Sequence, residues 1–339
     1  MLGEEAAPGF GKIGREVAVA GDKELKSIAE VADLRAGISI WYNCHMAVLC
    51  QQKNDCSAGN VSIPRLLVHV HVFYPAIWQE LADCVDNFVA VVGWDHLDVR
   101  VTVSELHQEV VELVRLRLPN ARIEVVENRG YDVAPYLKIL DEVNLEDYDY
   151  VVKLHTKRDV NCWINFRRLQ GAAWRRELLS FCDSESHVRR TLKRLSKRPR
   201  LGMIAGSGVI DPSGVASPVG GMSPNEFARI VDLLREIGLR LIDKTMVHGT
   251  MFIVRAELHK VLVGKIGQSR FHIVEETDNH VDLGFAVDVE RLLAMLVTAQ
   301  GCYIGSGRFP DGIAIFLNWL KGMILCGVRH LSNLARGVP

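Results

Sequence analysis

The sequence lacks the features that mark several classes of protein. Its 40 Lys and Arg residues balance 41 Asp and Glu residues, for a formal net charge of -1. A nucleic-acid-binding domain normally concentrates positive charge, so this balance argues against nucleic acid as a partner. Residues 1–17 contain no apolar run of the kind found in a signal peptide. We therefore expect the chain to stay in the cytoplasm.

Common metal and nucleotide motifs are also missing. The eight cysteines form no C-x-x-C pair, and no G-x-G-x-x-G follows the first apolar run, which disfavours a nucleotide-binding oxidoreductase. Cys44, Cys50 and Cys56 are evenly spaced, with His45 beside the first, but this spacing fits no standard zinc pattern. A metal site there and free thiols kept reduced in the cytoplasm both stay open.

What the sequence does have is an alternation of strands and helices from residue 65 onward. Hydrophobic residues make up 48% of the 339 residues, enough for a sizeable core. The predicted strands are 66–73, 87–92, 121–127, 148–154, 201–205 and 249–254, and the predicted helices are 77–84, 104–118, 134–143, 174–181, 185–195, 225–237, one starting at 256, and 283–299. This order predicts an α/β fold with a mostly parallel sheet flanked by helices.

Three parts are predicted along the chain. Residues 1–62 are expected to form a weakly structured arm, and residues 63–304 a single α/β domain. Residues 305–339 carry apolar side chains at helical spacing, with Lys321 near the middle, and predict an amphipathic helix. The apolar stretch is short for a membrane span. The helix could lie on a membrane surface or pack on the α/β domain.

The basic segment 189–200 could be a solvated face, or it could contact an anionic membrane or a lipid-linked acceptor.

Polar residues gather where the predicted strands end, which is where an open α/β sheet binds ligands. His71 ends the first strand, the third is followed by 127–135 (ENRGYDVAP), and the fourth by His155, Thr156 and Lys157. Each group has a structural alternative. His69 and His71 could be core histidines, Asn128 or Asp132 could cap the next helix, and residues 155–157 could be an exposed turn.

Read together, these segments resemble the rhamnan synthesis protein F family of polysaccharide-assembly enzymes. The resemblance covers residues 65–295. Its pieces are 69–74 (HVHVFY), 127–135, 148–157 (YDYVVKLHTK), 174–175 (WR), 201–204 (LGMI), 249–252 (GTMF), and Asp282 followed by 290–291 (ER). In the last motif the family usually has Gly after the Asp and His before the Glu-Arg pair, where this chain has Leu283 and Val287.

The resemblance implies a glycosyltransferase, a hexosyltransferase that moves rhamnose or another deoxysugar from a nucleotide donor such as dTDP-rhamnose. The acceptor would be a growing glycan, lipid-linked, of a lipopolysaccharide O-antigen or a capsular or cell-wall polysaccharide. The layout is similar to the GT-A fold, in which an Asp-x-Asp motif often holds a metal at the end of the fourth strand. Residues 155–157 offer no carboxylate there, so we expect no metal cofactor. Enzyme and acceptor could then meet at the inner face of the cytoplasmic membrane.

The resemblance also assigns roles to residues. The donor would be bound by His71, Asn128, Arg129, Asp132, His155 and Lys157, with Lys157 and Arg129 stabilising the departing diphosphate. The acceptor would be bound by Trp174, Arg175, Gly249 and Thr250. A carboxylate must accept the proton of the acceptor hydroxyl, and Asp282 is the first candidate, followed by Glu276. The alternatives are a sugar-phosphate transferase, which would need a divalent ion, and a non-catalytic scaffold of a polysaccharide-synthesis complex.

Overall fold

A computed structural model of the protein describes residues 62–159, 161–164, 167–206, 208–211, 222–274 and 284–307. Several predictions lie outside these residues: the N-terminal arm with Cys44, Cys50 and Cys56, the candidate bases Glu276 and Asp282, and the C-terminal helix beyond residue 307. Within the described part of the chain, no helix is long and apolar enough to cross a membrane.

Apolar, β-branched runs build a seven-stranded sheet at the centre of the fold, in the order β11-β7-β10-β4-β1-β2-β3. All seven residues of β1 are buried, as expected of a central strand covered on both faces. The strands are β1 (Leu66–Val72), β2 (Leu97–Ser104), β3 (Arg122–Val126), β4 (Tyr150–His155), β5 (Asn161–Ile164), β6 (Arg167–Gln170), β7 (Leu201–Ala205), β8 (Ile210–Asp211), β9 (Met246–Val247), β10 (Phe252–Arg255) and β11 (Tyr303–Ser306). The pairs β5-β6 and β8-β9 form two small separate sheets. The predicted domain boundary at residue 304 falls inside β11.

The strands of the large sheet share one direction except β10, which is antiparallel to both of its neighbours, β4 and β7. The predicted α/β class with a mostly parallel sheet is therefore confirmed. Because β10 runs backwards, its first residues lie at the edge where the other strands end. The loop before β10, which contains Gly249 and Thr250, is thus brought to the carboxyl ends of β1 and β4.

Helices cover the sheet. They are α1 (Trp78–Val92), α2 (Val110–Arg117), α3 (Val133–Glu142), α4 (Ala172–Leu178), α5 (Glu185–Lys197), α6 (Pro224–Glu236), α7 (Ala256–His259) and α8 (Gly284–Ala299). Short 3-10 helices occupy Pro75–Ile77, Trp94–His96, Glu105–His107, Leu145–Asp147, Lys260–Leu262 and Gln268–Arg270. The predicted helices of the second half all appear, with shifted ends.

The prediction of a strand at 87–92 was wrong. These residues complete α1, and the second strand, β2, begins only at Leu97. The apolar residues Leu81, Val85, Phe88 and Val92 follow one another at helical spacing and all are buried. This period continues through residues that on their own look β-prone, and α1 ends only at Gly93, where φ is 78°.

The order of the strands creates a crevice between β1 and β4. From β1 the chain moves outward to β2 and β3, and then returns to place β4 on the other side of β1. Because such crossovers are right-handed, the reversal puts α3 on the face opposite to α1 and α2. Tyr136 of α3 indeed lies against His69 of β1, with ring centroids 5.8 Å apart. Ligands bind at such switch points in open α/β sheets.

One close backbone approach gives a test of the fold. A methyl group at Gly206, directly after β7, would overlap the carbonyl oxygen of Glu177 and lie 3.2 Å from that of Leu178. We expect Gly206→Ala to lower the free energy of unfolding in urea by about 1–3 kcal/mol, since the backbone must shift to make room. The control is Gly267→Ala, whose nearest atom is 3.8 Å away and whose φ of -68° suits alanine. Equal stability of the two variants would contradict this packing.

Candidate functional site

The ends of β1 and β4 are tied together at the crevice. His71 and His155 are paired residues of the two strands, and the amide of Thr156 donates to the carbonyl of His71 at 3.0 Å. The Thr156 hydroxyl accepts from the amides of Phe73 at 2.8 Å and Tyr74 at 2.9 Å. The two loops that leave these strands therefore have fixed positions relative to each other.

A fully buried lysine lies beneath the crevice. Lys153 of β4 is 0% exposed. Its ammonium group donates to the Asp132 carboxylate, to the Thr250 hydroxyl at 3.1 Å and to the Thr250 carbonyl at 3.2 Å. An ammonium group has three N–H donors, so this charge is completely coordinated inside the protein.

Asp132, which lies in the loop after β3, is the carboxylate that pairs with Lys153. The Thr250 hydroxyl also donates to its Oδ2 atom at 3.0 Å, and His155 Nε2 lies 3.6 Å from the same oxygen. Burial alone would raise the pKa of Asp132. The nearby His155, Lys153 and Lys157 side chains outweigh burial and hold this pKa well below its usual value. The carboxylate is therefore ionised at neutral pH.

The backbone on both sides of this ion pair is in the left-handed region. Tyr131 has a φ of 56° and Thr250 a φ of 41°, each preceded by a glycine with positive φ. Such values are unfavourable for a bulky residue such as Tyr131 or a β-branched residue such as Thr250, and they persist where surrounding contacts enforce them. Asp132 takes the N-cap position of α3, but its side chain makes no capping hydrogen bond. Its carboxylate is directed at Lys153 instead, contrary to the capping alternative.

Two neutral histidines line the crevice at the strand ends. His155 Nε2 donates to the Gly249 carbonyl at 2.7 Å, and burial lowers the pKa of His155 to about 3. Burial likewise lowers the pKa of His71 to about 4. His71 Nδ1 lies 3.0 Å from the Thr102 hydroxyl, whereas its Nε2 atom is buried without a hydrogen-bond partner among the described residues. A polar ligand could supply that partner.

The remaining donor-site candidates divide into two groups. Lys157 is partly exposed beyond β4 and lies close enough to influence the pKa values of both Asp132 and His155. Asn128 and Arg129 instead bind the backbone of 271–274. The Asn128 amide group donates to the Val274 carbonyl at 2.5 Å, and Arg129 donates to Glu127 at 2.7 Å and to the Phe271 carbonyl at 2.6 Å. The structure therefore brings His71, Asp132, His155 and Lys157 together, with the other two at the side.

The acceptor-site candidates are also divided. Gly249 and Thr250 belong to the network around Lys153, and a methyl group at Gly249 would lie 3.3 Å from the buried Trp174 ring. Arg175 is engaged elsewhere, since its guanidinium donates to both oxygens of Glu80 at 2.7 and 2.8 Å and also to Asp159.

In the last family motif, the Arg291 guanidinium forms an ion pair with Glu226 of α6 at 3.1 Å. No group of three or more His, Cys, Asp or Glu side chains suited to a metal ion occurs within the described ranges.

Sequence reasoning assigned no role to two residues of the network, Lys153, which lies inside the motif 148–157, and Thr102. Lys153 did leave a signal, because a lysine inside the apolar run of β4 must be buried, and a buried lysine needs partners. Thr102 left none, since threonine is ordinary in a strand.

Comparison with known proteins identifies the family. A family model described as rhamnan synthesis protein F matches residues 34–302. The chain belongs to this family. The match confirms the resemblance and begins well before residue 65, where the recognised resemblance begins. Membership implies a role in rhamnan or polysaccharide synthesis.

Two curated relatives come from Xanthomonas campestris pv. campestris, strains B100 and ATCC 33913, and each bears the name uncharacterized protein WxcX. Each is 26% identical to this chain over 253 residues, which is 72% of this chain and 33% of the relative. The chain therefore spans about a third of the length of the relatives it matches.

The buried ion pair can be tested by removing one partner. Lys153→Met leaves the Asp132 carboxylate buried without a counter-charge, so we expect the free energy of unfolding to fall by about 3–5 kcal/mol. The double variant Asp132→Asn/Lys153→Met should recover part of that loss. Lys138→Met is the matched control, because Lys138 pairs with Glu124 and Glu142 at the surface and should cost less than about 1 kcal/mol. A small loss for Lys153→Met would contradict the network.

The buried histidines predict a pH dependence of stability. The pKa values of His71 and His155 are about 4 and about 3 when folded, below the ordinary value of about 6.5. Between these limits the unfolded chain binds more protons, so the free energy of unfolding falls as pH drops below about 6.5. Each histidine contributes about 1.4 kcal/mol per pH unit. Urea titrations from pH 7 to about pH 4.5 should show a shallower slope for His71→Gln than for the wild type. Parallel curves would count against a neutral buried His71.

Proposed function

We propose that this protein is a glycosyltransferase that moves a sugar from a nucleotide-sugar donor onto a glycan acceptor. The observation that carries the proposal is the switch point between β1 and β4, where Lys157 is partly exposed and the buried Nε2 atom of His71 has no hydrogen-bond partner among the described residues. A diphosphate is an anion that needs cations and hydrogen-bond donors. Membership of the rhamnan synthesis protein F family favours rhamnose or another deoxysugar, with dTDP-rhamnose as the first donor to test.

Stabilisation of the leaving group would depend on Lys157. When the bond between the anomeric carbon and the phosphate oxygen breaks, the departing nucleoside diphosphate keeps the electron pair. The Lys157 ammonium group would neutralise the growing charge. Residues 155–157 supply no carboxylate, Asp159 is bound by Arg175, and the Asp132 carboxylate is already bound by Lys153 and Thr250. We therefore propose a metal-independent transfer within a GT-A-like domain.

The nucleobase has a surface to stack on. Phe73 contacts both Tyr74 and His107 edge to face, with ring centroids 4.8 and 5.1 Å apart. All three rings are partly exposed at the ends of β1 and β2. Aromatic groups of this kind offer apolar area at little cost in conformational entropy, which suits a planar base held beside the diphosphate.

The acceptor would enter from the side of Trp174, Arg175 and the loop of Gly249 and Thr250. Its hydroxyl oxygen forms the new glycosidic bond, and its proton passes to a carboxylate, with Asp282 proposed first and Glu276 second. We propose a lipid-linked acceptor of an O-antigen or a capsular or cell-wall polysaccharide, glycosylated on the cytoplasmic side of the inner membrane.

Donor binding is the direct test. We expect one nucleotide sugar from a panel to raise the melting temperature of the purified protein, and EDTA to leave that shift unchanged. Lys157→Ala should weaken donor binding about 10- to 100-fold, the effect of losing a hydrogen bond from a charged group. Lys265→Ala, an exposed lysine in a distant turn, should bind the donor as the wild type does.

Each other outcome would contradict a stated part of the proposal. A shift abolished by EDTA would disprove metal independence and favour a sugar-phosphate transferase. The absence of a shift with every donor would contradict the transferase and favour a scaffold. Equal donor affinity in Lys157→Ala and wild type would remove Lys157 from the site.

A further inference from the structure

Positive charge is concentrated in one segment of a nearly neutral chain. The whole sequence has a formal net charge of -1, yet residues 186–210 contain no Asp or Glu. The same segment contains seven cations: Arg189, Arg190, Lys193, Arg194, Lys197, Arg198 and Arg200. Five of them belong to α5, and the other two follow its end.

Helix geometry collects four of these cations into one stripe. The inner face of α5 is buried through Val188, Thr191, Leu192 and Leu195. On the outer face, at 3.6 residues per turn, four exposed cations fall within about 100° of arc. We call these four residues the basic stripe: Arg189, Arg190, Lys193 and Lys197.

The helix that carries the stripe is firmly held. At its start, the Ser184 hydroxyl accepts from the His187 amide at 3.3 Å. At its end, Arg255 donates to the carbonyls of Leu195 at 2.6 Å and Arg198 at 3.1 Å. Arg194 reaches the carbonyl of Ser306 at the end of β11. The stripe is thus presented on a fixed surface and requires no folding step to form.

The charge of the stripe is not neutralised from within the described part of the protein. Arg189 lies 3.5 Å from Glu185, whereas Arg190, Lys193 and Lys197 form no ion pair with any described residue. Arg189, Lys193 and Lys197 follow one another at i, i+4, where like charges repel. Burial, followed by the charges of Arg198 and Arg190, lowers the pKa of Arg194 to about 10. An external anionic surface would relieve this repulsion.

We propose that the basic stripe docks this protein on an anionic phospholipid surface. Clusters of four or more Lys and Arg on a helix bind anionic headgroups. A flat membrane can bind through the stripe alone, whereas a long nucleic acid would extend beyond the helix and meet the acidic remainder of a chain with no net positive charge. The apolar face of α5 is already buried in the core, so attachment is electrostatic and is screened by salt. The inference does not depend on which reaction the crevice performs.

Sedimentation with vesicles tests the stripe in the full chain. We expect the protein to sediment with vesicles of phosphatidylcholine and phosphatidylglycerol in equal parts, and to be released at about 0.5 M NaCl. Since one basic residue near the surface strengthens binding about five-fold, the triple variant Arg190→Gln/Lys193→Gln/Lys197→Gln should lose about 100-fold in partition coefficient. The matched control Arg235→Gln/Arg240→Gln/Lys265→Gln removes three exposed cations from other elements and should bind as the wild type does.

Three results would overturn the proposal. Undiminished binding of the stripe variant would assign attachment to another part of the chain. Equal sedimentation with vesicles of phosphatidylcholine alone would exclude an electrostatic cause. Tighter binding to RNA than to the mixed vesicles, lost in the stripe variant, would assign the stripe to nucleic acid. Both triple variants should unfold in urea as the wild type does, because the substituted side chains are exposed. This measurement separates a loss of binding from a loss of folding.

Discussion

The buried ion pair between Lys153 and Asp132 fixes three separate chain segments at the crevice. Lys153 belongs to β4, Asp132 to the loop after β3, and Thr250 to the loop before β10, and each hydrogen-bonds to the other two. Removing two charges from water costs several kcal/mol per ion, so the pair is stable only while its coordination is complete. None of the three segments can move without exposing a charge to an apolar interior. This requirement holds Tyr131 and Thr250 in their left-handed conformations.

The reversed direction of β10 makes this convergence possible. In a wholly parallel sheet, the residues before a strand lie at the edge opposite to the ligand crevice. Because β10 is inserted antiparallel between β4 and β7, the residues before it lie beside the ends of its neighbours. Gly249 can then accept a hydrogen bond from His155, and Thr250 can reach Lys153.

The local order of strands and helices could be predicted from the sequence, but the contacts across the sheet could not. The strands β1 and β4 were predicted with small shifts at their ends, and the loop at 127–135 was recognised as part of the site. Residues 87–92 were misassigned because a short β-branched run has no period of its own. Strand direction leaves no trace in composition, so the approach of Thr250 to Asp132 was not foreseeable. It was also not foreseeable that Lys157 would lie at the crevice while Arg129 binds the Phe271 carbonyl.

The Thr102 hydroxyl lies 2.9 Å from His69 Nε2 and 3.0 Å from His71 Nδ1, and it has a single hydrogen. When this hydroxyl donates to one ring and accepts from the other, it meets an N–H on one imidazole and a lone pair on the other. Because it faces Nε2 of His69 but Nδ1 of His71, both imidazoles then hold the same tautomer. A ligand that needs a lone pair at His71 Nε2 places the His71 proton on Nδ1 and leaves His69 protonated on its own Nδ1. A ligand that needs a donor at His71 Nε2 reverses both rings. His69 lies two residues before His71 in β1 and does not touch the ligand. Which of its nitrogens carries the proton nevertheless depends on whether the ligand donates a hydrogen bond to His71 or accepts one from it.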